Sequence, residues 1–146
     1  MIKNDMIALL CLCMNMYAQG ENVSSKTYET AYEIVFVSVN QQRFTLNLYA
    51  NETTKAFIKT LPLTVPMREL NGNEKYFHLP TALPTQTFYP KMIQKGDVML
   101  WGNNSLVLFY KTFPSSYAYT KIGFIEDTTY LEEALGASNV VVRFEK

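Results

Sequence analysis

The chain has 146 residues, and its 13 Lys and Arg balance 13 Asp and Glu, so the formal net charge is zero. A neutral chain without basic runs lacks the field that attracts nucleic acid or an anionic membrane surface, and we expect neither as a partner. The length suits a single domain that buries roughly two-thirds of its unfolded surface.

The N-terminal segment, residues 1–20, differs in composition from the rest of the chain. Lys3 precedes the apolar run Met6–Met14, which is too short to span a bilayer and has the length of a signal-peptide core. Ala18-Gln19-Gly20 places small residues where a signal peptidase cleaves. The pattern predicts a signal peptide, export to the periplasm or the extracellular space, and a mature chain without a membrane span. A buried N-terminal helix stays open, because Asp5 weakens the basic start.

Both cysteines of the chain, Cys11 and Cys13, lie in this leader. The mature protein would therefore use neither disulfides nor thiolate chemistry. Lipid modification of a cysteine is the alternative, which is disfavoured because Leu10 and Leu12 stand where the lipidation motif has small residues. Residues 21–31 are polar and without period, and they predict a flexible tether.

The domain begins near Tyr32 with a β-branched strand, and Asn40-Gln41-Gln42 supplies a turn. The next strand alternates polar and apolar residues over 43–48, so one face of this hairpin is expected to be buried. Asn51 is predicted to cap a short helix that Pro62 ends.

The middle of the chain mixes short strands with turn signals. Leu63–Met67 predicts a short strand that Pro66 interrupts, and Asn71-Gly72-Asn73 predicts a turn before the strand Lys75–Leu79. Residues 80–95 contain three prolines and no clear period. They predict a long ordered loop of the kind that shapes binding surfaces.

The stretch from Gly96 to Asp127 is the strongest fold signal. Alternation over Val98–Trp101 predicts a strand, Asn103-Asn104 can take the positive backbone angles of a two-residue hairpin turn, and Leu106–Tyr110 predicts the return strand. The aromatic loop 111–120 follows. It combines three aromatic residues with prolyl and hydroxyl residues, so a ligand would be held there.

Two further elements end the chain. A strand is predicted over Lys121–Ile125, and then a second short helix that Thr128 caps, with Tyr130 inward and Gly136 as its stop. Val140–Phe144 predicts the last strand. Short strands with two short helices, and no regular strand-helix alternation, favour a mainly β fold, a closed antiparallel barrel, over a parallel sheet.

Five segments, in order, resemble the strands and first helix of the cyclophilin-like barrels: Arg43–Phe57, Tyr76–His78, Gly96–Val98, Leu106–Phe109 and Ile122–Ile125. The resemblance implies a cyclophilin-like β-barrel domain over residues 32–146. The chain resembles most closely a bacterial family of small, often exported cyclophilin-like proteins of uncharacterised function. Its similarity to the cyclophilin peptidyl-prolyl isomerases is more distant.

The resemblance to the isomerases implies where an active centre would lie. Those enzymes place a catalytic arginine directly after a Phe-His pair, and here Phe77-His78 is followed by Leu79. Among the arginines, only Arg68 lies in a predicted loop that could cover a cleft. We therefore assign no catalytic residue and expect a peptide-binding or small-ligand-binding module without strong catalysis. A weak isomerase that uses Arg68, or an interaction subunit that uses a sheet edge, stays open.

Aromatic and polar residues near the expected cleft form the candidate ligand-binding set: Arg68, Phe77, His78, Phe109, Phe113, Tyr117 and Tyr119. His78 is the single histidine, and no flanking motif builds a nucleophile around it, so a structural or wall-lining role is favoured. General acid-base work by His78 is the alternative. The chain lacks zinc-ligand clusters, a calcium-loop spacing and a glycine-rich phosphate loop, so we expect no metal and no cofactor. The sequence does not indicate an oligomeric state.

Overall fold

The computed structural model describes residues 31–146. The predicted signal peptide, both cysteines, and the tether as far as residue 30 lie outside the described residues. The first strand begins at Ala31.

The described elements follow in chain order: β1 Ala31–Val39, β2 Gln42–Tyr49, α1 Glu52–Ile58, β3 Leu63–Leu70, β4 Glu74–His78, β5 Thr87–Phe88, β6 Met92–Ile93, β7 Asp97–Trp101, β8 Ser105–Phe109, β9 Phe113–Pro114, β10 Tyr119–Ile125, α2 Leu131–Leu135 and β11 Val140–Glu145. A closed barrel forms in the order β2, β1, β11, β3, β4, β8, β7, β10, because β10 pairs back onto β2. Its pairs are antiparallel. The predicted mainly β barrel with two short helices is confirmed.

Alternating side chains of the strands fill the barrel interior. Val35 and Val37 of β1 and Leu46 and Leu48 of β2 are fully buried there. Burial of each such side chain contributes about 1.5–3 kcal/mol to the driving force for folding. Asn40 and Gln41 join the two strands in the left-handed conformation, with φ of 47° and 66°, as a tight hairpin turn requires.

The first helix covers one end of the barrel, and its predicted cap is confirmed. The Asn51 side chain accepts a hydrogen bond from the Thr54 main-chain N–H at 2.8 Å, and the Thr54 hydroxyl accepts one from the Asn51 N–H. This reciprocal pair satisfies donors that a helix start leaves open. Phe57 of the helix is fully buried against Phe144 of β11, with ring centroids 5.7 Å apart.

The second helix begins later than predicted, so the assignment of Thr128 as its cap was wrong. The Asp127 carboxylate accepts hydrogen bonds from the N–H and the hydroxyl of Thr129, and this local turn delays the helix until Leu131. Tyr130 therefore stands just outside the helix and is 60% exposed instead of inward. Gly136 ends the helix with a φ of 64°, as predicted.

Two details of the middle strands also differ from the sequence prediction. Pro66 does not interrupt β3, which continues to Leu70. Pro66 has a strand neighbour on one side only, since it pairs with β11 while β4 pairs with residues 68–70. On its other side no strand needs a hydrogen bond from residue 66, so the missing N–H of proline is tolerated there. The loop 80–95 contains the short strands β5 and β6.

The hairpin between β7 and β8 uses a three-residue loop. Trp101 pairs with Ser105, and Gly102 supplies the left-handed residue with a φ of 59°, so the assignment of positive angles to Asn103 and Asn104 was wrong. Glycine takes this conformation without a Cβ clash. The carbonyls of the two asparagines instead accept hydrogen bonds from the loop 79–83.

The barrel wall is buried on both faces along β7 and β8. Leu106 and Leu108 point into the interior, whereas alternate residues of the two strands join Ile93 of β6 and Tyr119 of β10 in an outer cluster: Ile93, Met99, Val107, Phe109 and Tyr119. Each of these five side chains is buried. The loops that cover this outer cluster form one side of the cleft described next.

Candidate ligand-binding cleft

A cleft of about 480 Å³ opens on the outer face of β4 and β8. Tyr76 of β4 and Val107 of β8 lie at its floor. The loop 113–119 lines one side. One end, the acceptor end, is formed by the β3–β4 turn with Asn73 and Glu74.

The period of β4 decides which of its side chains reach this cleft. Glu74, Tyr76 and His78 alternate onto the outer face, whereas Lys75 and Phe77 point toward the barrel interior. Successive side chains of a strand point to opposite faces, so this division follows from register alone.

Four of the predicted ligand-binding residues line the cleft together: His78, Phe113, Tyr117 and Tyr119. Phe109 is fully buried beneath them. Its ring contacts Phe113 at a centroid distance of 5.8 Å and Tyr119 at 5.6 Å in an edge-to-face arrangement. Phe109 thus supports the cleft wall without lining it.

The other two predicted residues lie elsewhere. Phe77 packs against the interior core, on the opposite side of the barrel wall from the cleft. Arg68 is exposed on β3 as the cross-strand partner of Tyr76, and it is not among the described residues that line the cleft. Leu79, which stands at the position of the isomerase arginine, is buried in the interior core.

The histidine end of the cleft contains a hydrogen-bonded pair. The His78 Nδ1 lies 2.7 Å from the hydroxyl of Ser105, which is buried, and the His78 ring stacks at a tilt on Tyr76 with centroids 5.3 Å apart. Among the described residues no carboxylate is hydrogen-bonded to His78. The pair therefore lacks the third member that orients a catalytic histidine in a hydrolase triad.

The acceptor end has the opposite character, because its polar atoms lack partners. Glu74 is half-buried, and burial, together with the nearby Glu69, raises the pKa of its carboxyl to about 7. Within residues 31–146, neither an ion pair nor a hydrogen bond engages this carboxylate. The side-chain oxygen of Asn73 is buried there without a hydrogen-bond partner in the described part of the chain.

Sequence reasoning did not select Asn73, Glu74, Ser105 or Trp101 for the cleft. The available signal was the phase of β4, which places Glu74 on the same face as Tyr76 and His78. Trp101 and Ser105 reach the cleft because β7 pairs with β8 and β8 pairs with β4. The register of these pairs cannot be read from a single sequence.

Behind the cleft, a buried lysine anchors a polar network, the Lys75 network. The Lys75 ammonium donates hydrogen bonds to the carbonyls of Gly136 at 2.8 Å and Ser138 at 2.7 Å, and it lies 3.7 Å from the Glu69 carboxylate. The Tyr110 hydroxyl donates to the same carboxylate. Burial lowers the pKa of Lys75, and Glu69 opposes that effect. The network ties β3 and β4 to the segment after α2.

The described residues contain neither a candidate metal site nor a candidate membrane-spanning helix. No three His, Cys, Asp or Glu side chains of residues 31–146 come together as a possible metal site. In the same part of the chain, no helix has the length and apolar character that a membrane crossing requires.

Comparison with known proteins supports the architecture described above. The model of the Cyclophilin-like family matches residues 37–145. The solution structure of the hypothetical protein AF2241 from Archaeoglobus fulgidus is similar, with a TM-score of 0.51 and 20% identity, over 81% of this chain and 98% of that one. At this identity the likeness concerns the fold alone. No curated protein matches the sequence. Because the family match covers most of the chain, the protein belongs to the cyclophilin-like family.

Proposed function

We propose that this protein is a binding module that holds a short extended peptide, or a ligand of similar size, in the cleft on β4 and β8. The observation that carries the proposal is a cleft of about 480 Å³ lined by aromatic rings with a few polar groups at its two ends. Ligand sites typically have volumes of about 300–1,000 Å³ and this mixture of lining groups.

The rim of the cleft offers aromatic surface that a ligand would cover. Tyr117 is 63% exposed and Trp101 is 51% exposed, and both line the cleft. Large rings with a polar atom are the side chains on which binding energy concentrates, because they bury much area and lose little conformational freedom.

The floor of the cleft is rigid, which favours binding. Val107 and Tyr119 are buried, and the fully buried Phe109 supports Tyr119 from below. These residues belong to paired strands of the barrel or to the outer cluster packed on them. A ligand would meet a formed surface, so little ordering of the protein would reduce its affinity.

The proposal is for binding without strong catalysis. Catalysis of prolyl rotation needs a donor aimed at the twisting amide, whose barrier is about 20 kcal/mol. The described residues that line the cleft include neither arginine nor lysine. A prolyl isomerisation assay in which activity is robust and is lost in Arg68→Ala would overturn this part of the proposal.

The experiment is a titration of the ¹⁵N-labelled protein with acetylated tripeptide amides that carry acidic, basic, aromatic, prolyl or aliphatic central residues. We expect at least one peptide to shift the amide signals of the loop 113–119 and of β4. Tyr117→Ala should weaken that peptide about tenfold, since a buried ring contributes more than 1 kcal/mol at a binding site.

Tyr89→Ala is the matched control, because Tyr89 is 68% exposed and does not line the cleft. It should leave the affinity unchanged. Equal losses in the two variants, or shifts only outside the cleft, would contradict the proposal.

We also propose that the protein is exported, a proposal supported by the apolar run Met6–Met14 and the small residues Ala18 and Gly20. N-terminal sequencing of the protein recovered from fractionated cells tests it. A mature form that begins at Glu21 outside the cytoplasm is expected. An uncleaved form in the cytoplasm would contradict export.

A further inference from the structure

We infer that the acceptor end of the cleft binds the cationic head, ammonium or guanidinium, of a lysine or arginine side chain in the bound peptide. This inference rests on the proposed function of the cleft. It adds the chemical class of the ligand group that donates hydrogen bonds to Glu74 and Asn73.

Two unpartnered acceptors at one end of the cleft carry the inference. The Glu74 carboxylate has neither an ion pair nor a hydrogen bond within the described residues, and the buried Asn73 oxygen has no partner there either. Most buried polar atoms in proteins are hydrogen-bonded, since an unsatisfied one has lost its water without gaining a partner. Asn73 and Glu74 are consecutive residues that both line this end of the cleft, so two acceptors without donors indicate that the donor belongs to a ligand.

The charge around this end favours a cation over a neutral donor. The lining residues described above include one carboxylate, Glu74, and no lysine or arginine. A second carboxylate, Glu69, lies close enough to raise the pKa of Glu74. The ammonium of Lys75, the next residue of β4, points to the opposite face and donates hydrogen bonds to the carbonyls of Gly136 and Ser138.

The aromatic lining suits the rest of a basic side chain. Tyr76, Phe113, Tyr117 and Tyr119 line the same cleft as Glu74. Ring faces attract cations, and the apolar stems of lysine and arginine pack along aromatic surface while their heads reach a polar group. A cleft of about 480 Å³ is larger than one such side chain, which leaves room for flanking peptide residues.

Protonation of Glu74 gives this inference a pH signature. A cation binds the ionised carboxylate, so its affinity should rise as the pH passes through about 7, where the pKa of Glu74 lies. The titratable and charged groups near Glu74 come from β3, β4, the residue after β8, the loop before β10 and β10 itself: Arg68, Glu69, Lys75, Tyr76, His78, Tyr110, Tyr117 and Tyr119. A pH effect belongs to Glu74 only if Glu74→Gln removes it.

The experiment compares four acetylated tripeptide amides of the form Ala-X-Ala, in which X is lysine, norleucine, arginine or citrulline. Each is titrated into the ¹⁵N-labelled protein at pH 8 and at pH 5.5. We expect the lysine and arginine peptides to bind at least about tenfold tighter at pH 8 than their neutral counterparts, because only the charged heads form a charge-assisted hydrogen bond with the carboxylate. That preference should fall severalfold at pH 5.5.

Variants of one carboxylate at a time complete the test. Glu74→Gln should reduce the lysine peptide to the affinity of the norleucine peptide, and Glu74→Asp should retain part of the preference. The matched control is Glu133→Gln, since Glu133 is an exposed carboxylate of α2 outside the cleft. It should change nothing.

The outcomes separate this inference from the proposed function. Neutral and basic peptides that bind the cleft equally, or a lysine peptide that Glu74→Gln binds as well as the wild type, would overturn the inference and leave the binding module standing. Absence of any shift in the cleft with every peptide would overturn both. Butylammonium that binds as tightly as the lysine peptide would overturn the assignment to a peptide.

Discussion

Lys75 and Glu74 are neighbours on β4, but their surroundings differ in every respect that matters for a charged group. Lys75 is fully buried inside the barrel wall, and its ammonium contacts two carbonyls, a carboxylate and the Tyr110 ring. Glu74 faces the cleft on the other side, half-buried, and no described residue supplies a donor to it.

The contrast separates a structural group from a binding group. Desolvation of a charge is costly on either face, and on the interior face the protein offsets it with fixed partners. On the cleft face, no described residue supplies a partner that would offset the desolvation of Glu74, so the pKa of its carboxyl stays raised. The cleft therefore holds two acceptors that a ligand could use: the Glu74 carboxylate and the buried Asn73 oxygen, both beside aromatic rings.

The largest expected effect is on the interior side. Lys75→Met leaves the carbonyls of Gly136 and Ser138 and the Glu69 carboxylate without their cation. We expect the free energy of unfolding to fall by about 2–4 kcal/mol, as for other buried ion pairs that lose one partner. Urea denaturation at pH 7 measures it.

Lys111→Met is the control for that substitution. Lys111 pairs with Glu132 at 2.7 Å, but about half of each side chain is exposed. Exposed pairs contribute about 0–1 kcal/mol, so this variant should lose little. If both variants lose the same free energy of unfolding, the Lys75 network stabilises the fold no more than an ordinary surface pair does.

Glu74→Gln should raise the free energy of unfolding, whereas Lys75→Met lowers it. The carboxyl of Glu74 has a pKa of about 7 in the folded protein against its ordinary value of 4.5, so the folded state binds more protons between these pH values. The free energy of unfolding therefore falls as pH rises from about 4.5 to 7, and this loss persists above pH 7. Allowing for partial exposure, the variant should be more stable than the wild type by about 1–2 kcal/mol at pH 8 and nearly equal at pH 4.5.

Chemical denaturation of both proteins at the two pH values checks this prediction. A variant less stable than the wild type at pH 8 would mean that the carboxylate has a structural role, and the contrast with Lys75 would disappear.

Asn73→Ala should have the smallest effect on stability. The side-chain oxygen of Asn73 makes no described hydrogen bond, whereas the main chain of this residue bonds to Leu70 and Tyr110 and would be kept. We expect a change within about 0.5 kcal/mol in the free energy of unfolding, with a severalfold loss of affinity for the lysine peptide. Thermal unfolding and peptide titration of one sample measure the two quantities. A stability loss above about 1.5 kcal/mol would place Asn73 with the structural groups.

The barrel was predictable from sequence because its signals are local. Strand alternation, the Asn51 cap and the Gly136 stop each depend on residues close together in the chain. The errors at Thr128 and at Asn103 and Asn104 arose where two neighbouring residues could fill the same role. In each case the local hydrogen bond or the absence of a Cβ decided between them.

The cleft was only partly predictable, because its two ends depend on contacts between distant segments. Loop composition was enough to select Tyr117 and Tyr119. The pairing of His78 with Ser105 depends on strand register, and the burial of Lys75 depends on carbonyls 61 and 63 residues further along the chain. No local pattern distinguishes a lysine with such partners from an exposed one, or Glu74 from a solvated carboxylate.

A crystal structure of the domain with the acetylated Ala-Lys-Ala amide at pH 8 tests the central claim most directly. We expect the peptide in the cleft, with its ammonium within about 3.2 Å of both the Glu74 carboxylate and the Asn73 side-chain oxygen. A peptide bound on another surface, or bound in the cleft with its ammonium directed to solvent, would contradict it.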